Sequence, residues 1–262
     1  MDEPTPWREA VAYDAYVGRW SRVVARRFLN RLAIPAGSRW LDVGCGTGAL
    51  TGSVLRCSSP AVVLGIDPSA PFVGRAAAQV RDRRAAFCRG SAQDLPVGDV
   101  SVDAVVSGLV LNFVPDRPAA LAEMRRVTRP GGVVAAYVWD YADGMQLVRR
   151  FGDAAVECDP AARPLDEAAR FPDCRPGPLA ELFAALEDVV VEEVVVPTVF
   201  ADFDDYWGPF LGGAGPAPAY VTSLGEDQRT ALRETLRARV PVADDGSIHL
   251  TARAWAVRGR RG

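Results

Sequence analysis

"RWLDVGCGTGAL", residues 39–50, decides the fold. Trp40-Leu41-Asp42-Val43 reads as a buried strand that runs into a loop with Gly44, Gly46 and Gly48. A strand ending in closely spaced glycines before a helix brings backbone N–H groups against a ligand, because glycine has no Cβ to hold the ligand away. Gly44, Gly46 and Ala49 satisfy the dinucleotide pattern G-x-G-x-x-G/A, and an acidic residue, Asp67, stands 23 positions after Gly44. Asp42 opposes a pyrophosphate, whose oxygens would meet a like charge two residues before the first glycine. A cationic ligand gains from the same carboxylate. The common ligand with an adenosine, a ribose diol, an ammonium and a sulfonium, and no phosphate, is S-adenosylmethionine.

Outward from this loop, strand and helix patterns alternate as a parallel sheet requires. Strands are expected at 39–43, 61–66, 85–89, 102–108 and 132–139, with helices near 47–56, 70–82 and 117–128. "RPGG" (129–132) ends the third of these helices and starts a strand. The N-terminal stretch 8–31 has helical spacing, and residues 1–34 are taken as a lid segment before a cofactor-binding core at 35–140. Prolines break up 141–177, read as an insertion; the core continues over 178–200, with a helix at 178–186 and a β-branched run at 188–200. A second insertion covers 201–246, including a helix at 226–239, and a final strand at 247–259 closes the chain within 247–262. "GGAGPAPA" (212–219) reads as a loop, and no internal repeat is evident.

The 262 residues, 49% of them hydrophobic, suffice for one α/β domain with an elaboration. A formal net charge of −3 gives no electrostatic footprint for nucleic acid, and the arginine-rich stretches 22–31 and 81–89 read as solvated helix faces or turns. All 30 basic residues are arginine, which excludes a Walker A loop, a Schiff-base lysine and the Tyr/Lys pair of short-chain dehydrogenases. Five cysteines without C-x-x-C spacing and a single histidine, His249, leave a metal site short of ligands, so none is expected. The absence of a signal peptide and of an apolar run near ~20 residues points to a cytoplasmic protein without a membrane span.

"LDVGCGTG", "GIDPS", "GSAQDLP", "VDAVVSGLVLNFVPD" and "EMRRVTRPGGVVAAYVW", in this order and spacing, resemble the class I S-adenosylmethionine-dependent methyltransferases, in the type-11-like group acting mostly on small molecules. The resemblance is strong over residues 35–140. It implies a Rossmann-like α/β fold: a seven-stranded, mostly parallel sheet of order 3-2-1-4-5-7-6, the last strand antiparallel, with helices on both faces and a helical cap from the insertions. Carried over, Asp42 and the loop of Gly44, Cys45, Gly46 and Thr47 approach the methionine part of the cofactor, and Asp67, followed by Pro68, takes the ribose. Asp67 also suits a helix cap, and the two roles are compatible. Ser91, Ala92 and Gln93 hold the adenine, and Ser107 and Gly108 end the fourth strand beside the sulfonium. Many relatives have Asp where Ser91 stands and His-His where this chain has Asn112 and Phe113, so the adenine contact and any histidine chemistry depart from the family's pattern.

Tyr16, Arg19 and Trp20 match an N-terminal lid, or else a docking helix with aromatics in a satellite core. Tyr206, Trp207 and Phe210 line an apolar acceptor pocket or pack a cap, and Trp139 with Asn112 stands where an acceptor would bind. The activity implied is transfer of a methyl group to O, N or C of a small organic acceptor, leaving S-adenosylhomocysteine. A hydroxyl acceptor would need a base, for which Asp140, with Tyr141 as relay, is the candidate at the mouth of the fifth strand, whereas His249 reads as a strand-end residue. Two other classes remain: a catalytically inactive cofactor-binding partner subunit, and an NAD-dependent oxidoreductase opposed by Asp42 and the missing lysine. Nucleic acid is not expected as a substrate, since no N/D-P-P-Y/F or Pro-Cys motif is present.

Overall fold

A computed structural model describes residues 19–212 and 215–262. Seven strands, β1 (Arg39–Val43), β2 (Val62–Asp67), β3 (Ala85–Arg89), β4 (Val102–Gly108), β5 (Thr128–Trp139), β6 (Glu187–Phe200) and β7 (Ile248–Arg260), form one sheet in the order β3-β2-β1-β4-β5-β7-β6. The pairs β2–β3, β1–β2, β1–β4 and β4–β5 are parallel, and β7 runs antiparallel to β5 from Val133 opposite Arg260 to Trp139 opposite Ala254. This is the order and sense that the motifs implied.

β1 and β4 are buried along almost their whole length, which explains why both read as unbroken apolar runs: strands covered on both faces have no solvent side to mark with polar residues. Helices α1 (Arg19–Leu32), α2 (Ala49–Cys57), α3 (Ala70–Gln79) and α4 (Arg117–Val127) accompany the first five strands. Helix α4 starts as its sequence dictates. Asp116 accepts from the amide of Ala119 at 2.9 Å, and Pro118 occupies the first turn, where a missing N–H costs nothing.

"RPGG" behaves differently from expectation. The strand starts at Thr128, before the glycines, and the register slips, so that Val102 faces Thr128 while Ala104 faces Val133. Gly131 takes up the extra chain at φ +74°, and its N–H donates to the carbonyl of Arg261 at 2.6 Å. The glycines therefore form a bulge within the strand instead of a helix-to-strand gap.

The chain divides into two compact units. A core unit comprises residues 21–139, 173–194 and 254–262; an insertion unit comprises 140–172 and 195–253 with Trp20. Residues 21–32, expected with a lid, belong to the core unit: Phe28 packs on Tyr137 with centroids 4.7 Å apart, and Arg31 donates to the carbonyl of Glu193. The insertion unit carries α5 (Gln146–Cys158), α6 (Glu167–Arg170), α8 (Phe203–Trp207), α9 (Pro216–Ser223) and α10 (Glu226–Arg239), and α7 (Pro176–Leu182) lies in the core unit. Among the described residues no helix is long and apolar enough to cross a membrane.

Candidate functional site

The strand order reverses between β1 and β4, and the loops at the carboxyl ends of these strands and of β2 form the crevice in which open α/β sheets bind ligands. The glycine loop is fixed there by its own backbone. The N–H groups of Gly44 and Cys45 both donate to the carbonyl of Ile66, at 2.7 and 3.0 Å. Gly44 has φ +74°, and a Cβ on it would sit 2.4 Å from Cγ1 of Val110, so this turn closes against the loop after β4 only because the residue is glycine. Gly46 also lies in the left-handed region, at φ +51°, yet among the described residues nothing stands within 4 Å of where its Cβ would be.

Asp67 joins this loop to the next element. One carboxylate oxygen accepts from the amide of Gly46 at 3.0 Å, the other from the amide of Ser69 at 2.8 Å. Burial raises its pKa, and the two amide bonds oppose that rise. The cap role read from "GIDPS" is thus present, and each oxygen keeps a lone pair for a second donor. Pro68 is exposed, and its carbonyl accepts from Nε of Arg89 at 3.1 Å.

Asp42 lies beneath the loop, fully buried. Its Oδ2 accepts from the Thr51 hydroxyl at 2.6 Å, while Oδ1 has no partner among the described residues. Burial pushes this carboxyl up to about 7, against the Thr51 hydrogen bonds and with a further push from Asp67. Cys45 is buried with its thiol held protonated by desolvation, so it acts as an apolar wall; Thr47 is half-buried. Ser107, fully buried at the end of β4, has an Oγ without a partner among the described residues, and a Cβ on Gly108 would come 2.6 Å from the Tyr137 hydroxyl. In the loop after β3, Ser91 accepts from the amide of Gln93 at 3.2 Å, with Ala92 half-buried between them. The residues between Asp42 and Gly108 read from the sequence as cofactor-binding all lie in the core unit, in or just after the carboxyl-terminal parts of β1, β2, β3 and β4.

The other candidates fare differently. Tyr16 lies outside the described residues, and Arg19 is the first residue of α1. Trp20, Tyr206, Trp207 and Phe210 are buried within the insertion unit, where rings contact rings: Trp20 meets Phe200 at 5.2 Å, Tyr206 meets Phe200 at 5.2 Å, and Phe210 stacks on Phe151 at 4.5 Å. They form that unit's own core. Asn112 sits in a 3-10 turn beside a cavity of about 240 Å³ and Trp139 ends β5 buried; among the described residues neither amide atom of Asn112 nor Nε1 of Trp139 has a partner.

Asp140 does not have the arrangement of a general base. Its Oδ2 accepts from Nε of Arg253 at 2.7 Å and pairs with the same guanidinium at 2.6 Å, and its Oδ1 accepts from the amides of Ala142 and Asp143 at 3.1 and 3.3 Å. A carboxylate with both oxygens committed ties the end of β5 to β7. Tyr141 is buried with its ring 5.0 Å from Phe171, and His249 is exposed, its Nε2 2.9 Å from Ser247 Oγ.

Residues 41–136 match the family described as a methyltransferase domain. A malonyl-[acyl-carrier protein] O-methyltransferase of Pectobacterium atrosepticum is 31% identical over 63% of this chain and 71% of its own. The chain belongs to the class I S-adenosylmethionine-dependent methyltransferases. A demethylmenaquinone methyltransferase of Roseiflexus sp. is 39% identical over 39% of this chain, and the chain spans half or less of the length of the first such relatives it matches. In fold, the chain resembles a Bacillus halodurans protein with TM-score 0.59 at 14% identity, over 90% of this chain and 98% of that one.

Two features of this site escape the sequence. Thr51, an ordinary helix residue in "ALTGSV", holds Asp42; a hydroxyl residue nine positions after the strand's acid was the available signal. Arg126 looks like one more surface charge, yet it donates to the carbonyls of Leu95 and Val97 and pairs with Glu123 and Asp99, while Glu123 accepts from the amide of Leu95. Together they pin the segment that follows Ser91–Gln93 to α4.

Proposed function

We propose that this protein binds S-adenosylmethionine at the carboxyl edge of β1, β2 and β4 and transfers its methyl group to a small organic acceptor. The observation that carries the reading is the Gly46–Asp67 pair: a left-handed glycine with no described residue within 4 Å of its Cβ position, bonded to a buried carboxylate that retains acceptor capacity. That suits a neutral ribose diol. Oδ1 of Asp42, without a partner among the described residues, fits a cationic ligand portion and opposes a phosphate, which would want donors there, while the Ser107 hydroxyl can serve a polar ligand as donor or acceptor.

In this reading Asp67 receives the ribose hydroxyls, Asp42 balances the methionine ammonium, and Ser91–Gln93 border the adenine. S-adenosylmethionine supplies, when bound, a methyl group already activated by the positive sulfur. What remains for the chain is to hold and align, and alignment in a water-excluded site lowers such barriers by ~7–11 kcal/mol. Asp140 serves as a strut to Arg253 and is not assigned the acceptor's proton. The relatives named above act on unlike acceptors, so the atom methylated is fixed by residues outside the shared core.

Thermal scans with S-adenosylmethionine, S-adenosylhomocysteine and NADH test the proposal. The first two raise the melting temperature and NADH does not, because a ligand stabilises by binding only the native state. Equal stabilisation by NADH alone would overturn it.

A further inference from the structure

The insertion unit contains a cleft of about 450 Å³ that the reading above does not use, lined by Tyr141, Val148, Gly152, Leu165 and Glu167 among others. Its volume lies in the range of small-molecule sites. Most of the wall is apolar. Arg149 in the wall is already engaged, donating to Asp166 at 2.9 Å and to Asp153 at 3.2 Å, whereas Arg163 is exposed.

Glu167 is different. It is 7% exposed as a residue, lines the cleft, and its carboxyl makes no hydrogen bond among the described residues. Burial pushes this carboxyl up to about 7, against the neighbouring charge of Arg170 and with a further push from Asp166. An acid in the cleft would meet Glu167 with a second acceptor. A protonated amine would give it a charge-assisted bond and an opposite charge.

We propose that this cleft is a binding site for a small apolar amine, with the ammonium on Glu167 and the hydrocarbon against Tyr141, Val148 and Leu165. The site lies wholly within the insertion unit and stands independently of cofactor binding. Gly152 supplies the block: it sits on α5, lines the cleft, and has no described residue within 4 Å of its Cβ position, so a side chain started there meets no close atom at its base and extends into the cleft wall.

Calorimetric titration with phenethylamine, phenethyl alcohol and phenylacetate, on wild type, Glu167→Gln and Gly152→Leu, tests this. Phenethylamine binds the wild type, more weakly by at least about tenfold to Glu167→Gln, and not to Gly152→Leu, whose melting temperature is unchanged or higher. The alcohol binds less well than the amine, and the acid does not bind. The proposal is overturned by no amine binding to wild type, by equal amine affinity in all three proteins, or by the alcohol matching the amine. S-adenosylhomocysteine titrated into the same proteins reads the methyltransferase site separately, so either reading can fail without the other.

Discussion

Replacing Asp42 by asparagine should change how stability depends on pH, and the size follows from the buried carboxyl. In the ligand-free protein its pKa stands at about 7 against 3.8 for an ordinary carboxylate. Below 3.8 both folded and unfolded chains carry the proton, and Asp42 contributes no pH dependence. Between 3.8 and about 7 the folded chain holds a proton that the unfolded chain has released, so stability falls as pH rises. Above about 7 both are ionised and the full cost of the buried charge is present, about 4 kcal/mol at most. About 2–3 kcal/mol of this falls between about pH 5 and pH 8, on the order of 5–10 °C in melting temperature for a chain of this size. The amide in Asp42→Asn cannot titrate. Melting curves of both proteins from about pH 5 to pH 8 should therefore converge or cross as pH rises, the wild type losing more; Glu167, also pushed up to about 7, is common to both and cancels. If the two curves run parallel, Asp42 does not hold a proton in the folded state and the reasoning fails. A cofactor ammonium beside Asp42 would favour the ionised form, so S-adenosylhomocysteine should bind more tightly as pH rises towards about 7, and the Asp42→Asn variant should lose that dependence.

Asp67→Ala removes the acceptor for the Gly46 and Ser69 amides and should weaken S-adenosylhomocysteine by about 1.5–3 kcal/mol in titration calorimetry, with Asp67→Asn losing less. Asp140→Ala leaves the partly exposed Arg253 without its carboxylate and should cost about 2–3 kcal/mol of stability in denaturant titration, with cofactor affinity unchanged; a stable variant lacking turnover would restore Asp140 to the chemistry. Tyr206→Phe deletes a fully buried hydroxyl with no partner among the described residues and should raise stability by about 1 kcal/mol, read as a higher melting temperature; a loss would mean that the hydroxyl is bonded in solution. His249→Gln should leave methyl transfer nearly intact, since the ring is exposed and engaged with Ser247; collapse of turnover with the fold retained would reverse its assignment.

The core was legible because its physics is local. Unbroken apolar runs such as "DAVVSG" mark strands buried on both faces, and Gly44 and Gly48 stand where only a left-handed backbone closes the turn. Asp67 could be read as both cap and ligand acceptor because both roles act through the same carboxylate at a strand end. The insertions were not legible in that way. An aromatic series such as Tyr206, Trp207 and Phe210 has the same spacing whether it faces a ligand or its neighbours, and only the three-dimensional ring contacts decide. Asp140 looked free because its partner, Arg253, lies 113 positions away. Glu167, in "LDEAAR", has the i,i+3 spacing to Arg170 of an ordinary surface pair, and nothing local reports that the packing buries it.

The contacts that hold Asp67 reach backbone amides at Gly46 and Ser69, not their side chains. This divides the three positions by how freely they can drift. Ser69 contributes only its N–H here, so it should accept most residues except proline. Gly46 also contributes an N–H, but its left-handed backbone narrows the choice to glycine, with asparagine or aspartate as poor substitutes. Asp67 alone is specified by side-chain chemistry, and glutamate, one methylene longer, cannot keep both amides in place. A saturation library of the three codons, selected for folding and then for S-adenosylhomocysteine capture, should leave position 69 almost unrestricted, position 46 restricted already by folding, and position 67 restricted mainly by the second selection.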